Sequence, residues 1–222
     1  MSTACRRAWL AAALLLASGA GRVPAFAEDP MNVPVSVRVA AALGPVQRIL
    51  ILVDRNPIRR VLDFEPLSAL PQIALRFKLE QASPVRAAVL LADGSWHVGS
   101  AWVDSAGGGC TAAGATRQDG SWSLTLGQTQ AKWFAREGSA ARLRLRVMHP
   151  MDTGLVSGIP AFYVKRLSVQ DSTGRELARL STYEPVSENP VFSFDFATAP
   201  AGGVRIVGLD NNGNRIAAPV AP

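Results

Sequence analysis

Apolar and polar residues alternate with a period of two through most of this chain of 222 residues. The segments 33–39, 73–79 and 143–147 show this most clearly, because each places Val, Ile, Leu or Phe at every second position. The pattern is typical of β-strands that are buried on one face. Further strands are predicted at 48–53, 85–91, 96–103, 162–169, 175–180, 192–196 and 204–209. No amphipathic helix of three turns is predicted, so we expect an all-β fold.

Turn residues and composition divide the predicted strands into two groups. Asp93-Gly94-Ser95 lies between two strands of the first group and predicts a tight hairpin. Asp171-Ser172-Thr173-Gly174 marks a turn in the second group. Residues 105–140, between the groups, are rich in Gly, Ser, Ala, Thr and Gln. We therefore predict two β-domains, at 28–104 and 141–222, joined by a flexible Gly-rich connector.

Residues 1–27 have the features of a secretory signal peptide. Arg6 and Arg7 precede the apolar stretch 8–17, and Ala25-Phe26-Ala27 has the small-x-small form that signal peptidase accepts. The apolar stretch is shorter than the roughly 20 residues that a membrane-spanning helix needs. We expect an exported protein without a membrane anchor, whose mature chain begins near Glu28. The paired arginines leave both the Sec and the Tat route open.

The charge balance argues against a nucleic-acid partner. Removal of the leader would take away Arg6, Arg7 and Arg22 and no acidic residue, which lowers the formal net charge from +6 to +3. So mild a charge does not drive phosphate binding, and an exported chain rarely meets nucleic acid. A mildly basic surface still favours acidic protein partners.

Cys110 is the only cysteine expected in the mature chain, because Cys5 lies in the leader. A single cysteine cannot close an internal disulfide, so it is an inert buried residue, an intermolecular link or a functional thiol. Gly107, Gly108 and Gly109 precede it, and small residues follow it. These neighbours offer little to pack against, so we predict an exposed thiol on an arm made mobile by the glycines.

The residues around Cys110 do not predict an enzyme or a metal site. The nearest cation in sequence is Arg117, and no predicted helix begins there to lower the pKa of the thiol. A blue-copper site would need Cys110, His97, His149 and a Met in a spacing that this chain lacks. We expect no metal and no cofactor, with His149 as a structural or interface residue and His97 as an exposed strand residue.

Arg142, Arg144 and Arg146 lie on one side of a predicted strand. They could dock an acidic partner or meet a sulfonate on the loaded cysteine. A row of charges is also typical of a solvated face or of protection at a sheet edge. Trp133 and Phe134, in the connector, could anchor a partner or pack the connector onto a domain.

Several motifs of the first half resemble SoxY, one of the two subunits of a sulfur-oxidation carrier. The residues that carry the resemblance are Val33-Pro34-Val35, Asn56-Pro57, Phe64, Ala74-Leu75-Arg76-Phe77-Lys78-Leu79, Asp93-Gly94-Ser95 and Gly108-Gly109-Cys110. The last of these matches the Gly-Gly-Cys that carries substrate in the family. The resemblance implies that Cys110 is the covalent attachment point.

The second half resembles SoxZ, the other subunit. The most specific match is His149-Pro150-Met151-Asp152-Thr153-Gly154, followed by Phe162, Lys165, Ser187-Glu188-Asn189-Pro190-Val191-Phe192-Ser193-Phe194 and Asp210-Asn211-Asn212-Gly213. The resemblance implies two immunoglobulin-like β-sandwich domains that pack on each other, with His149, Pro150 and Met151 as candidate interface residues. Fused chains of this kind resemble SoxYZ-like carriers associated with quinoprotein dehydrogenases.

The residues and the resemblance together predict a non-enzymatic periplasmic carrier. Cys110 would hold thiosulfate or sulfane-type intermediates and present them to partner redox enzymes. The implied partners are periplasmic sulfur-oxidation enzymes and c-type cytochromes, or a quinoprotein dehydrogenase system. The alternative is an accessory or structural binding module for such a dehydrogenase or cytochrome, in which Cys110 forms an intermolecular disulfide.

Overall fold

The computed structural model describes residues 22–222, and most of the predicted signal peptide lies outside this range. The strands are β1 (Phe26–Ala27), β2 (Val33–Arg38), β3 (Val46–Val53), β4 (Arg60–Glu65), β5 (Gln72–Phe77), β6 (Ser83–Leu91), β7 (Trp96–Ser105), β8 (Thr129–Ala135), β9 (Ala141–Val147), β10 (Val164–Gln170), β11 (Glu176–Thr182), β12 (Val191–Phe196), β13 (Val204–Asp210) and β14 (Arg215–Val220). A 3₁₀ turn covers Ala41–Leu43, and two short helices, α1 (Ala115–Asp119) and α2 (Trp122–Thr125), precede β8. The predicted all-β fold is confirmed.

The strands form two sheets, and each sheet contains strands from both halves of the chain. The larger sheet has nine strands in the order β1-β7-β6-β3-β4-β11-β10-β13-β14, and the smaller has five in the order β2-β5-β12-β9-β8. The halves join where β4 pairs with β11 and where β5 pairs with β12, both antiparallel. The expectation that the two halves pack on each other is therefore confirmed.

The buried residues of both sheets form one hydrophobic core. The alternating positions of β2, β5 and β9 point into it, as the period-two pattern predicts. Phe64 of the first half and Phe194 of the second pack with ring centroids 6.0 Å apart, and both are buried. The same core thus stabilises both halves, and each half contributes strands to both sheets.

Three strands of at least six residues were missed from the sequence: β4, β8 and β14. In β4, Val61, Leu62, Asp63 and Phe64 are all buried, so the alternation is absent. Asp63 can be buried there because the guanidinium of Arg48 pairs with its carboxylate. Strand β8 lies inside the predicted connector, where its pairing with β9 orders residues that looked flexible by composition.

The short strand β1 bears on the predicted cleavage site. Phe26 and Ala27 pair in parallel with Asp104 and Ser105 of β7, and Ala27 is buried. The backbone N–H of Asp104 also donates to the carbonyl of Ala25, at 2.8 Å. Cleavage after Ala27 would therefore detach β1 from the edge of the larger sheet.

No helix among residues 22–222 is long and apolar enough to cross a membrane.

The shared core predicts that the two halves unfold together. Replacing Phe64 with Ala should lower the free energy of unfolding by about 3–5 kcal/mol, because a large cavity opens between the halves. Denaturant unfolding followed by fluorescence and circular dichroism should give one transition, shifted as a whole. Phe134→Ala is the control, since Phe134 is 42% exposed and its loss should change stability little. Two separate transitions, with only one shifted, would contradict the shared core.

Candidate functional site around Cys110

Cys110 lies on a segment that follows β7 and packs against the residues after β5. The N–H of Gly108 donates to the carbonyl of Glu80 at 2.9 Å, and the N–H of Gly109 donates to the carbonyl of Leu79 at 3.1 Å. The N–H of Gly107 donates to the Ser105 hydroxyl at 3.0 Å. Backbone hydrogen bonds therefore hold the glycines before Cys110 against the domain.

The glycines are needed for this close approach. A Cβ atom on Gly109 would lie 2.1 Å from the carbonyl oxygen of Pro30 and 2.7 Å from that of Leu79. Gly107 has a φ of +87°, and a Cβ there would lie 2.5 Å from the carbonyl oxygen of Glu80. In this docked conformation their role is to let two backbones touch. The role of the glycines in arm mobility stays a prediction.

The predicted exposure of Cys110 is wrong in this structure, because its relative exposure is 0%. Its N–H donates to the Glu80 carboxylate at 2.9 Å, and its carbonyl accepts from the Thr153 hydroxyl at 2.6 Å. The sulfur lies 3.6 Å from the carbonyl oxygen of Lys78. The prediction considered only the small residues next to Cys110 in sequence. The residues that pack against it include Lys78 and Thr153, which are 32 and 43 positions away.

Burial makes the docked thiol unreactive. It raises the pKa of Cys110 to about 12, and the negative charge of Glu80 acts in the same direction. The ammonium of Lys78 opposes this shift. Because the thiolate is the nucleophilic form, the docked cysteine is protonated and inert at neutral pH.

Lys78 is buried beneath Cys110, with 1% relative exposure. Its ammonium donates to the carbonyl of Met151 in the other half of the chain, at 2.6 Å. Burial lowers the pKa of Lys78, while the charges of Asp152 and Glu188 oppose this shift. Lys78 therefore connects the two halves at the point where the cysteine docks.

Asn56 holds the backbone on which Cys110 rests. Its side-chain amide donates to the carbonyl of Lys78 at 2.7 Å, and its side-chain oxygen accepts from the N–H of Glu80 at 2.8 Å. Asn56 is itself buried. Both acceptors that face Cys110, the Lys78 carbonyl and the Glu80 carboxylate, belong to the segment that Asn56 fixes.

The chain after Cys110 is held by two acidic residues of the second half. The Glu188 carboxylate accepts from the N–H groups of Ala115 and Thr116, each at 2.8 Å, where α1 begins. The guanidinium of Arg117 donates to the Asp152 carboxylate at 2.7 Å and lies 4.0 Å from the ring centroid of Trp122. Burial raises the pKa of Asp152 although Arg117 opposes the shift. The cysteine segment is thus fastened on both sides.

The predicted interface residues His149, Pro150 and Met151 are buried, and of the three Met151 contacts the first half, through the bond that its carbonyl accepts from Lys78. The Nδ1 atom of His149 accepts from the N–H of Met151 at 3.1 Å. Its Nε2 atom lies 3.6 Å from Asp210 and has no hydrogen-bond partner among the described residues. Burial lowers the pKa of His149 to about 4, although Asp210 opposes the shift.

His97 was predicted to be an exposed strand residue. His97 is half-buried on β7 rather than exposed, and its Nε2 atom lies 3.3 Å from the Ser95 hydroxyl. Within residues 22–222, no group of three or more His, Cys, Asp or Glu side chains is arranged to hold a metal ion.

The sequence motifs singled out above meet at this site, although their roles were not foreseen. They include Asn56, Lys78, His149, Met151, Asp152 and Thr153. Lys78 occupies a polar position of an alternating strand pattern, so periodicity placed it on the solvent side. Only the packing of the second half over the end of β5 buries it.

We expect Cys110 in the folded chain to react slowly with iodoacetamide at neutral pH, because it is buried and protonated. Gly109→Ala should speed the reaction at least about tenfold, equivalent to roughly 1.4 kcal/mol of lost docking free energy. Gly108→Ala is the matched control: Gly108 has a positive φ but open space around its Cβ position, so its cost is backbone strain without a clash. Mass spectrometry of the Cys110 peptide gives the rates. Native reactivity equal to that of the unfolded chain would rule out the docked state.

The lowered pKa of His149 predicts a pH-dependent stability. Between about pH 4 and 6.5 the unfolded chain binds a proton at this position that the folded chain excludes, so the free energy of unfolding should fall as the pH falls through this window. Urea unfolding at several pH values measures this slope. His149→Gln should reduce the slope, whereas the control His97→Gln should keep it. An unchanged slope in His149→Gln would assign the pH dependence to other groups.

Comparison with known proteins identifies both halves of the chain. The family model described as "Sulfur oxidation protein SoxY" matches residues 19–110, and the model described as "Sulphur oxidation protein SoxZ" matches residues 131–220. No curated protein matches this chain. One similar solved structure is SGBP-B of the Bacteroides ovatus mixed-linkage glucan utilization locus, in complex with a heptasaccharide. It is 16% identical, with a TM-score of 0.23, and the match covers 92% of this chain and 43% of that one.

Proposed function

Because the chain belongs to the SoxY and SoxZ sulfur-oxidation carrier family, with both immunoglobulin-like domains fused in one polypeptide, we propose that it carries sulfur intermediates on Cys110. Members of this family are periplasmic, and they are carriers rather than catalysts. The observation that carries the proposal is that the SoxY match ends at residue 110, the position of the buried thiol.

Loading with thiosulfate is an oxidation, and it needs an electron acceptor. The S–H bond of Cys110 breaks and an S–S bond forms to the outer sulfur of thiosulfate, which yields an S-thiosulfonate. One proton leaves to solvent, and two electrons pass to a partner c-type cytochrome or quinoprotein dehydrogenase system. The carrier supplies the thiol and the partner supplies the redox chemistry, in agreement with the raised pKa of the docked thiol, which burial and the Glu80 carboxylate keep protonated.

Loading requires Cys110 to leave its docked position. The docked thiol is buried and has a pKa of about 12, so it offers no nucleophile to a partner. Release of residues 106–114 would break the bonds to Glu80 and Thr153 and expose the sulfur. A flexible loop of 12 residues spans roughly 20 Å, enough to enter a partner's cleft. Gly107, Gly108 and Gly109 supply the mobility in that released state.

The proposed organisation keeps the SoxY-like domain at 28–104, the cysteine-bearing connector at 105–140 and the SoxZ-like domain at 141–222. An N-terminal signal peptide takes the chain to the periplasm, where its partners are sulfur-oxidation enzymes and c-type cytochromes or a quinoprotein dehydrogenase system. The connector is tethered at both ends, so the arm works as a loop.

Intact mass spectrometry tests the carrier function. Protein purified from its native periplasm without reductant should carry an added mass of sulfur, sulfite or thiosulfate on the Cys110 peptide, and a thiol reductant should remove it. Cys110→Ser should carry no such mass while its circular dichroism and thermal unfolding stay close to those of the unmodified sequence. Sulfur cargo retained in Cys110→Ser would overturn the proposal. A disulfide-linked dimer without any adduct would instead support the accessory-module function.

A further inference from the structure

The outer side of the five-stranded sheet carries a row of cations, which we call the arginine face. Its outward positions include six cations: Arg38, Arg76, Lys132, Arg142, Arg144 and Arg146. The only carboxylate at an outward strand position of this sheet, among the described residues, is Asp195. Asp195 accepts two bonds from Arg142, at 2.6 and 2.7 Å. The other five cations have no carboxylate partner within residues 22–222.

The strand register places like charges next to each other. Lys132 of β8 lies directly opposite Arg144 of β9, and both are exposed. Like charges in directly opposed positions destabilise a sheet. Val191 of β12 lies opposite Arg146 and offers it no negative charge either. The Lys132 ammonium lies 5.7 Å from the centroid of the Phe134 ring, but within residues 22–222 no carboxylate pairs with Lys132 or Arg144 to offset their repulsion.

The nine-stranded sheet neutralises more of its arginines. Four of its seven strand arginines pair with carboxylates: Arg48 with Asp63, Arg86 with Asp54, Arg166 with Glu176, and Arg179 with both Glu65 and Glu176. The other three, Arg60, Arg205 and Arg215, have no carboxylate partner among the described residues. On the five-stranded sheet Arg142 is the one strand arginine of five that pairs with a carboxylate, among the described residues. The chain therefore neutralises a larger share of the strand arginines on the nine-stranded sheet than on the five-stranded sheet.

Edge protection does not account for the arginines of β9. Strand β9 is an interior strand, paired with β12 on one side and with β8 on the other. Lys132 on β8 and Arg38 on β2 do lie on edge strands, where a charged side chain discourages further pairing. Arg144 and Arg146 therefore need another explanation.

The arginine face also contains a groove with mixed chemistry. The groove has a volume of about 730 Å³ with Arg22, Val23 and Pro24 of the predicted leader along its wall. Arg76, Arg144, Phe134 and Val191 are among the lining residues that cleavage would leave in place. Phe134 is 42% exposed and lies beside the cations. Arg and aromatic residues are enriched in protein interfaces, and the guanidinium fork fits a carboxylate in two-point contact. Five strands about 4.8 Å apart make a face roughly 20 Å wide, a substantial part of a standard interface.

We propose that the arginine face is a docking surface for an acidic patch on a partner protein. A protein is favoured over nucleic acid, because the family is periplasmic. It is favoured over an anionic membrane because the cations are mostly arginines around a groove with an exposed aromatic ring, which suits a shaped surface better than a lipid plane. The proposal does not require Cys110 to be loaded.

The test uses the full chain with Cys110→Ser, so that its outcome is independent of sulfur loading. The probe is a synthetic helical peptide of 20 residues with glutamates along one face. Isotope-labelled protein titrated with it should show its largest amide shifts on β5, β8, β9 and β12. The affinity should fall steeply between low and physiological salt. Shifts centred on the nine-stranded sheet would overturn the proposal.

Two matched variants separate the arginine face from general charge. Arg76→Gln/Lys132→Gln/Arg144→Gln/Arg146→Gln should weaken peptide binding at least about tenfold, or roughly 1.4 kcal/mol. The control Arg59→Gln/Lys165→Gln/Arg205→Gln/Arg215→Gln removes the same number and kinds of charge from exposed sites elsewhere and should weaken it less than about twofold. Equal weakening by both variants would overturn the proposal. Tighter, face-dependent binding to phosphatidylglycerol vesicles or duplex DNA would overturn it in favour of a membrane or a nucleic acid.

Discussion

The buried ammonium of Lys78 holds the candidate site together. A lone buried charge is strongly destabilising, so its neighbours must stabilise it. The carbonyl of Met151 accepts its hydrogen bond, and the charges of Asp152 and Glu188 favour its charged form. These groups belong to the second half of the chain, whereas the Lys78 carbonyl, held by Asn56, faces the sulfur of Cys110. The side chain of Lys78 thus joins the two halves, and its backbone carbonyl contacts the docked cysteine.

The burial that makes Cys110 inert also protects it. A buried, protonated thiol resists oxidation and disulfide exchange, which matters for a lone cysteine in an oxidising compartment. The docked segment is held by a few hydrogen bonds, notably those of Cys110 to Glu80 and Thr153 and of Gly109 to Leu79. At about 0.5–1.5 kcal/mol net for each bond, the docked state is stable enough to dominate and weak enough for a partner to open.

The period-two pattern predicted the strands that bury only one face, and it missed β4, in which successive residues are buried on both faces. Strands β2, β5 and β9 alternate because solvent covers one side of the smaller sheet. Strand β4 lies in the middle of nine strands, and an ion pair with Arg48 buries its polar residue. The exposure of Cys110 was mispredicted for a related reason. The glycines before it indicate only that the local backbone is flexible, whereas the residues that bury it, such as Lys78 and Thr153, are distant in sequence. The family motifs did identify the site, because their residues converge on it.

Strand β5 carries Arg76 of the arginine face and leads into Lys78, whose carbonyl contacts Cys110. Arg76, on the outer side of β5, lies two residues before Lys78, or about 7 Å along the strand. Its backbone carbonyl accepts from the N–H of Ser187, at 3.1 Å, next to Glu188, which holds the start of α1. A partner bound over Arg76 and Arg146 would thus lie beside the segments that fasten the cysteine arm. A partner that binds this face does not need to contact the sulfur. It can therefore be held near Cys110 whether the arm is docked or released. The arm then needs only to open and does not have to reach a distant partner.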